Sequence, residues 1–513
     1  MLRTGFFLIW FMLPAITFAQ WDPPARIEFN AADKAFDVIK ANNRNLLVIS
    51  APEKDNGQSR KKWTFTTVGP DLQPIWETKA EILSDHTFQA SETVDQVTCL
   101  MFTTYSKRRY SGPDYQLVIL NHGDKTIKTI NGKSDQKASF VAFDVIHPFV
   151  IGAFNQKNKS GSVFIYNSDS EEVKTITISP GNDHQILDLK VDRSARQFII
   201  AFNSAVSKRK DNLAFQSFDL DGSLVLNSPV QLPDESLRII NAYLAVPESG
   251  KWILNGVFSK NSDRVDGTEA NEEILANGVC QIRFINGTQE VAKFYNFIDF
   301  QNIEEIFNRQ DGASVYKKME KEKKKDADAD LKFSIILLPP IQNGDNYIFL
   351  LETYSTEYQV INRYSYDFYG RVYPQSYSVF DGYRYFNAFS GEFDINGSLL
   401  WTHGIDLKDI KNFDLTRHVE LYKSGNEVVM AYSSDGKIAS RVISQYAETG
   451  PFERARIDLK YQGDQLVNDT RSQIRHWHDH YFYASGYQTV RNSSLKTMTR
   501  KVFYINKLSF ETN

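Results

Sequence analysis

Cysteine is nearly absent: Cys99 and Cys280 are the only two in 513 residues, which excludes a disulfide framework. Each lies in an apolar, strand-like run (97–102 and 278–282), and both are expected to be free, buried thiols packing as small hydrophobes. Charge of one sign is also missing. Lys and Arg total 59 against 63 Asp and Glu, a formal net charge of −4, so a general nucleic-acid binder is excluded. Beyond the N-terminus no run is apolar enough to cross a membrane, so no transmembrane segment is expected. Nor is there a Gly-x-Ser-x-Gly elbow, a His-Glu-x-x-His helix or a phosphate-cradling Gly-rich loop, and no cofactor is implied.

The N-terminus itself reads Met1-Leu2-Arg3, an apolar run over 6–13, Pro14, and then Thr17-Phe18-Ala19. A positive start, a core too short to span a bilayer and a small-residue stop form a secretory signal, cleaved after Ala19. Its loss removes Arg3 and leaves a net charge of −5; no cysteine follows the cleavage point, so no lipid anchor is expected. The pattern predicts an exported, soluble protein, periplasmic or extracellular.

What is present is repetition. Phe218-Asp-Leu-Asp-Gly-Ser-Leu-Val-Leu226 returns as Phe393-Asp-Ile-Asn-Gly-Ser-Leu-Leu-Trp401, in each case a strand, a tight Asp-Gly or Asn-Gly turn and a second strand. Apolar second strands are expected at 46–51, 97–104, 149–155, 198–203, 252–258, 347–354, 428–433 and 481–487. Third-to-fourth strand turns are expected at 69–71, 121–123, 167–169, 221–222, 286–287, 396–397, 448–450 and 506–507, rich in the Gly and Asn that positive φ requires. Four strands per unit, repeated radially, predict an all-β fold: one β-propeller of seven or eight four-stranded blades over 20–513. Ile27 and Phe29 alternate within 25–30, so this segment is expected to lend a strand to the last blade and close the ring. Two insertions interrupt the period. A helical, charged one lies near 301–332, with Lys-rich 317–325, and a Tyr-rich loop lies at 355–382 with Gly370 and Pro374 as breakers.

The phrases Phe393–Trp401, Phe380-Asp-Gly-Tyr-Arg-Tyr385 and Asp435-Gly-Lys-Ile438 resemble those of uncharacterised exported β-propeller proteins of Bacteroidota bacteria. That resemblance covers most of the chain and implies fold and export. Gly397-Ser-Leu-Leu-Trp401 is also similar to the blade ending of quinoprotein dehydrogenases, over one blade, but the adjacent cysteine pair of that family is missing.

His476, His478 and His480 at i, i+2 and i+4 would share one face of a strand and could ligate Zn²⁺ or Cu²⁺; the competing reading is a blade's first hairpin turn. The Asp219–Gly222 and Asp394–Gly397 segments lack the oxygen series calcium needs and are explained as hairpin turns. Asp367, Asp381 and Glu392 are carboxylates that a glycosidase pair could use, at distances sequence does not give.

The clearest functional pattern is a face. Basic triplets Arg60-Lys61-Lys62, Lys107-Arg108-Arg109 and Lys208-Arg209-Lys210 fall between second and third strands, as do Lys157, Lys159, Arg491 and Lys496. The Tyr-rich insertion, with Tyr366, Tyr369 and Tyr373, shares that position, and the charged insertion is a blade-to-blade connection on the same side. A cationic rim with tyrosine anchors suits a protein partner. Three functions compete: a non-catalytic protein-interaction module, a glycan-binding or carbohydrate-active propeller and, more distantly, a quinone-dependent dehydrogenase. A central depression with aromatics among close carboxylates favours the second; small or apolar channel walls favour the first.

Overall fold

The computed structural model describes residues 25–510 apart from 43, 53–58, 105–113, 134–137, 157–159, 179–183, 208–209, 261–274, 301–330, 367, 409, 445–446 and 496. The segment read as a secretory signal and residues 301–330 of the expected charged insertion therefore lie outside the described residues. Strands dominate, with a single 3-10 turn, Phe297–Asp299, described beside them. They form eight antiparallel sheets, each four strands deep along its main path, with Lys411–Asn412 pairing off the sixth. The chain is an eight-bladed β-propeller.

The inner strands, in chain order, are Lys34–Lys40, His86–Val94, Ala138–Ile146, His184–Asp192, Leu237–Glu248, Ser334–Asn343, Glu420–Ser424 and Gln465–His478. They define blades 1 to 8. Each expected second strand occupies the second place in its sheet. Ring closure is as the alternation of Ile27 and Phe29 predicts, with Arg26–Asn30 pairing along Val502–Asn506 as the outer strand of blade 8.

Second strands are apolar at almost every position because both of their faces are covered. In Gln197–Ser207, Phe198, Ile200 and Phe202 pack toward blade 3, while Ile199 and Ala201 pack toward blade 5. The same division recurs around the ring, so the core is eight apolar clusters, one between each pair of neighbouring blades.

The repeated phrase has a local cause. Asp219 Oδ1 accepts from Ser223 N at 2.8 Å, and Asp394 Oδ1 accepts from Asn396 N at 2.8 Å and Ser398 N at 2.7 Å. Gly222 and Gly397 take φ of 79° and 74°. The phenylalanine before each Asp is buried: Phe218 stacks on Phe198 at 5.2 Å and Phe393 lies 5.1 Å from Phe349. Two expected turns are misplaced. Residues 448–450 lie inside the strand Ala447–Arg456, which pairs with Lys437–Ser444 from Ala447 opposite Ser444 onward. Asn506 and Lys507 lie inside Thr499–Ser509, because blade 8 takes its fourth strand from the N-terminus and needs no turn there.

Candidate functional site

Connections between second and third strands share one face with the blade-to-blade linkers. On that face the Tyr-rich insertion is not a loop. The second and third strands of blade 6 run on as Asn346–Tyr366 and Val372–Phe393, 21 and 22 residues, paired out to Tyr366 opposite Val372. At about 3.3 Å per residue the nine residues from Tyr358 to Tyr366 form an arm of roughly 30 Å. Gly370, at φ 76°, serves the turn, and Pro374 pairs opposite Tyr364 where the ribbon has no third strand to miss its N–H.

The arm is fastened at its base. Glu357 binds Arg384 and Lys411, both at 2.8 Å, and Lys411 also reaches Asp381 at 2.7 Å. Register shifts between Glu357 and Tyr358. Beyond it, Tyr358, Val360 and Tyr364 line one side with Phe380, Pro374 and Val372; Ile361 and Arg363 line the other with Tyr377, Val379 and Tyr373. Phe368 is 97% exposed, Tyr369 83% and Tyr364 74%. Tyr373 is also exposed, whereas the side chain of Tyr366 lies outside the described residues.

Arg60, Lys61 and Lys62 do not form a loop; they begin the third strand of blade 1, opposite Leu83, Ile82 and Glu81, at the end nearest the arm-bearing face. Lys210 likewise begins the strand Lys210–Asp219. Lys107, Arg108, Arg109, Lys157, Lys159, Lys208, Arg209 and Lys496 lie outside the described residues, and Arg491 ends its strand exposed.

The histidines occupy the hairpin on the opposite face. His476 Nε2 faces Asp479 O at 2.8 Å and its ring stacks on Tyr422 at 4.5 Å, His478 Nδ1 meets Asp479 Oδ2 at 3.1 Å, and His480 packs on Tyr481 at 4.2 Å. Among the described residues no three His, Cys, Asp or Glu side chains are grouped to hold a metal ion. Glu392 and Asp381 are also separated in role. Glu392, buried, accepts from Trp401 Nε1 at 2.7 Å, Asn343 Nδ2 at 2.7 Å and Asn346 Nδ2 at 2.9 Å, whereas Asp381 serves the arm base. Asp367 lies outside the described residues.

The channel is where sequence reading saw least. Around it, buried charged side chains join neighbouring blades. Between blades 2, 3 and 4, Asp144 accepts from Val191 N at 2.9 Å and pairs with Lys190 at 3.2 Å and Arg193 at 3.0 Å, while Arg193 also approaches Glu92 at 3.8 Å. Asp188 takes the N–H of Leu244 at 2.6 Å, and Glu352 takes those of His418 and Val419 at 2.8 and 2.7 Å. These carboxylates fasten one blade to the next by capping backbone donors that have no strand partner. Burial lifts Asp188 and Glu352 to about 7, against the pull of those N–H groups. Asp37 is exposed, yet the strands crowded around it desolvate its carboxyl and raise it to about 6, with Arg471 opposing.

No family model matches the chain, and no curated protein matches it. Among solved structures it is similar to the β-propeller domain of the Trilobed protease from Pyrococcus furiosus, described as an open velcro topology, at 9% identity over 82% of this chain and 98% of that one, TM-score 0.34. It is similar to a prolyl endopeptidase at 8% identity over 90% and 54%, TM-score 0.38, and to an ulvan lyase of polysaccharide lyase family 25 at 9% over 80% and 90%, TM-score 0.40. Likenesses at such scores say nothing of activity. No helix among the described residues is long and apolar enough to cross a membrane.

Proposed function

We propose that this protein is an exported, non-catalytic β-propeller that serves as a protein-interaction module in the envelope or extracellular space, docking through its arm. One observation carries the reading: a two-stranded ribbon with aromatic side chains on both sides that the described chain does not cover. Such a ribbon is at best marginally stable in water alone, and burying four to six aromatics at ~150–250 Å² each would approach one side of a standard protein interface. Between Tyr358 and Phe380 only Arg363, Asp367 and Arg371 are charged, so the partner suited to it is a protein offering an apolar, near-neutral surface. Arg60 and Lys62 at this face, with Arg108 and Arg209, which lie outside the described residues and are grouped with them by sequence position, steer encounter. The N-terminal signal supports export, and the blade-fastening work of Asp144, Asp188 and Glu352 supports a structural reading of those carboxylates.

Affinity capture from the source's envelope fraction, beside a glycan array, tests this. A partner whose dissociation quickens when Tyr364, Tyr369 and Tyr373 become Ser, and whose association slows on charge reversal at Arg60, Lys62, Arg108 and Arg209, supports it. Tyrosine-dependent retention on the array with no protein captured supports the glycan-binding reading instead. Partner loss on changing His476, His478 and His480, with the other two sets harmless, places the binding face on the other side.

A further inference from the structure

Blades 7, 8 and 1 bring three cations, Arg475, Arg417 and Lys40, into the reach of Glu420. Arg475 and Arg417 both approach one carboxylate oxygen, Glu420 Oε2, at 4.0 and 3.9 Å, too far for a tight bidentate pair. Arg475 is buried and spends its Nη1 and Nη2 on the carbonyls of Ile474 and Arg417, at 2.7 and 2.8 Å, which fixes the backbone from which Arg417 projects. Arg417 itself is 44% exposed. Lys40 joins them from blade 1. His476 must carry its proton on Nε2, which faces the Asp479 carbonyl, so its Nδ1 is an acceptor, and Lys40 Nζ lies 3.4 Å from it. Lys40 is exposed, leaving donors free to turn into the channel.

Three cations thus share Glu420, which acts on Lys40 as well, while Glu352, the other carboxylate acting on both arginines, is engaged by the N–H groups of His418 and Val419. The like charges oppose one another: burial, then Arg417, lowers Arg475 to about 10, and Lys40, though exposed, is lowered by the desolvating strands around it, with Glu420 opposing and Arg417 adding to the fall. Holding mutually repelling cations together is costly unless something anionic joins them. The histidine motif finds a use here as a neutral partner of Lys40 in place of a metal ligand.

We propose that Lys40 and Arg417, backed by Arg475 and Glu420, form a binding site for a small oxyanion, a carboxylate, sulfate or phosphate group, on the blade 7–8–1 wall of the channel toward the His476 hairpin. The site is independent of the arm, which leaves the opposite face. The opposite channel wall differs, since Asp144 and Glu92 there match Lys190 and Arg193.

The test is calorimetric titration of the mature protein at low ionic strength with inorganic sulfate, inorganic phosphate and citrate, of which at least one is expected to bind at about 1 mM or tighter. Lys40→Gln and Arg417→Gln should each weaken that binding by about tenfold or more, Lys40→Arg should largely retain it, and Arg193→Gln on the other wall should leave it unchanged. Unaltered β-sheet circular dichroism of each variant keeps the comparison valid, and both glutamine variants alter exposed side chains. Weakening by both confined to this wall supports the site. Binding of none of the three anions, binding that survives both substitutions, or equal weakening by Arg193→Gln overturns it.

Discussion

Arg26 is the side chain on which ring closure most depends, and Arg26→Met is the sharpest test of it. Only 4% exposed, its guanidinium donates to Glu28 Oε1 at 2.9 Å, Asn506 Oδ1 at 2.9 Å, Gln488 Oε1 at 2.8 Å and Asp458 O at 3.1 Å, and it lies 4.7 Å from the Tyr504 ring centroid. It joins the closing strand to the next two strands of blade 8, through Asn506 and Gln488. Methionine keeps most of the volume but strands buried acceptors and leaves Glu28 to Arg500 alone, at 3.3 Å. Breaking a buried pair from one side costs about 3–5 kcal/mol. At roughly 2.1 cal/mol/K per residue, a chain this long would lose only about 3–5 °C of melting temperature if it unfolded as one unit. The local readout is stronger: amide hydrogen exchange over Arg26–Asn30 and Val502–Asn506 should quicken by about a hundredfold or more, with blades 3 to 5 unaffected. Glu28→Gln added to Arg26→Met should recover part of the loss, because it removes the uncompensated carboxylate. Unchanged exchange at this seam, or equal acceleration around the ring, refutes the closure account.

Asp188 and Glu352, raised to about 7 in the folded state, hold protons there that the unfolded chain releases near pH 4. Their stabilising contribution is therefore complete below about pH 4 and lost as pH rises through about 7, worth up to about 4 kcal/mol for Asp188; urea titrations at pH 5 and 8 should show a smaller difference in Asp188→Asn, and identical differences contradict this. Burial pushes the Cys99 thiol up to about 12 and Cys280 higher still, so neither should react with iodoacetamide at pH 8 until the chain is denatured. Replacing 359–379 by a two-residue turn should leave the melting temperature within about 2 °C, since the removed segment lies beyond the blade core; a large drop would show that the arm is part of that core. Glu392→Ala should cost about 2–4 kcal/mol by stranding Trp401, Asn343 and Asn346, while Asp381→Ala at the exposed base should cost under about 1 kcal/mol, compared by urea unfolding.

The sequence by itself determined the repeating unit, because everything that defines it is local. Phe218-Asp-Leu-Asp-Gly222 carries its own turn in Asp219 and Gly222, and the doubly covered second strands announce themselves as unbroken apolar runs. Ring closure was legible too, since alternating Ile27 and Phe29 stand beyond the first complete blade and need a sheet to join. Where local chemistry was ambiguous, sequence reading failed: Gly370 and Pro374 suggested a loop, yet cross-strand pairing on an edge tolerates both. The channel could not have been read at all. Lys40, Glu92, Asp144, Asp188, Arg417 and Arg475 each look like one polar position in an alternating strand or linker, separated by up to hundreds of residues. Closing the ring turns the inner edge of every blade toward one axis, and only that geometry decides which charges meet, which carboxylates are spent on a neighbour's backbone, and which cations are left over.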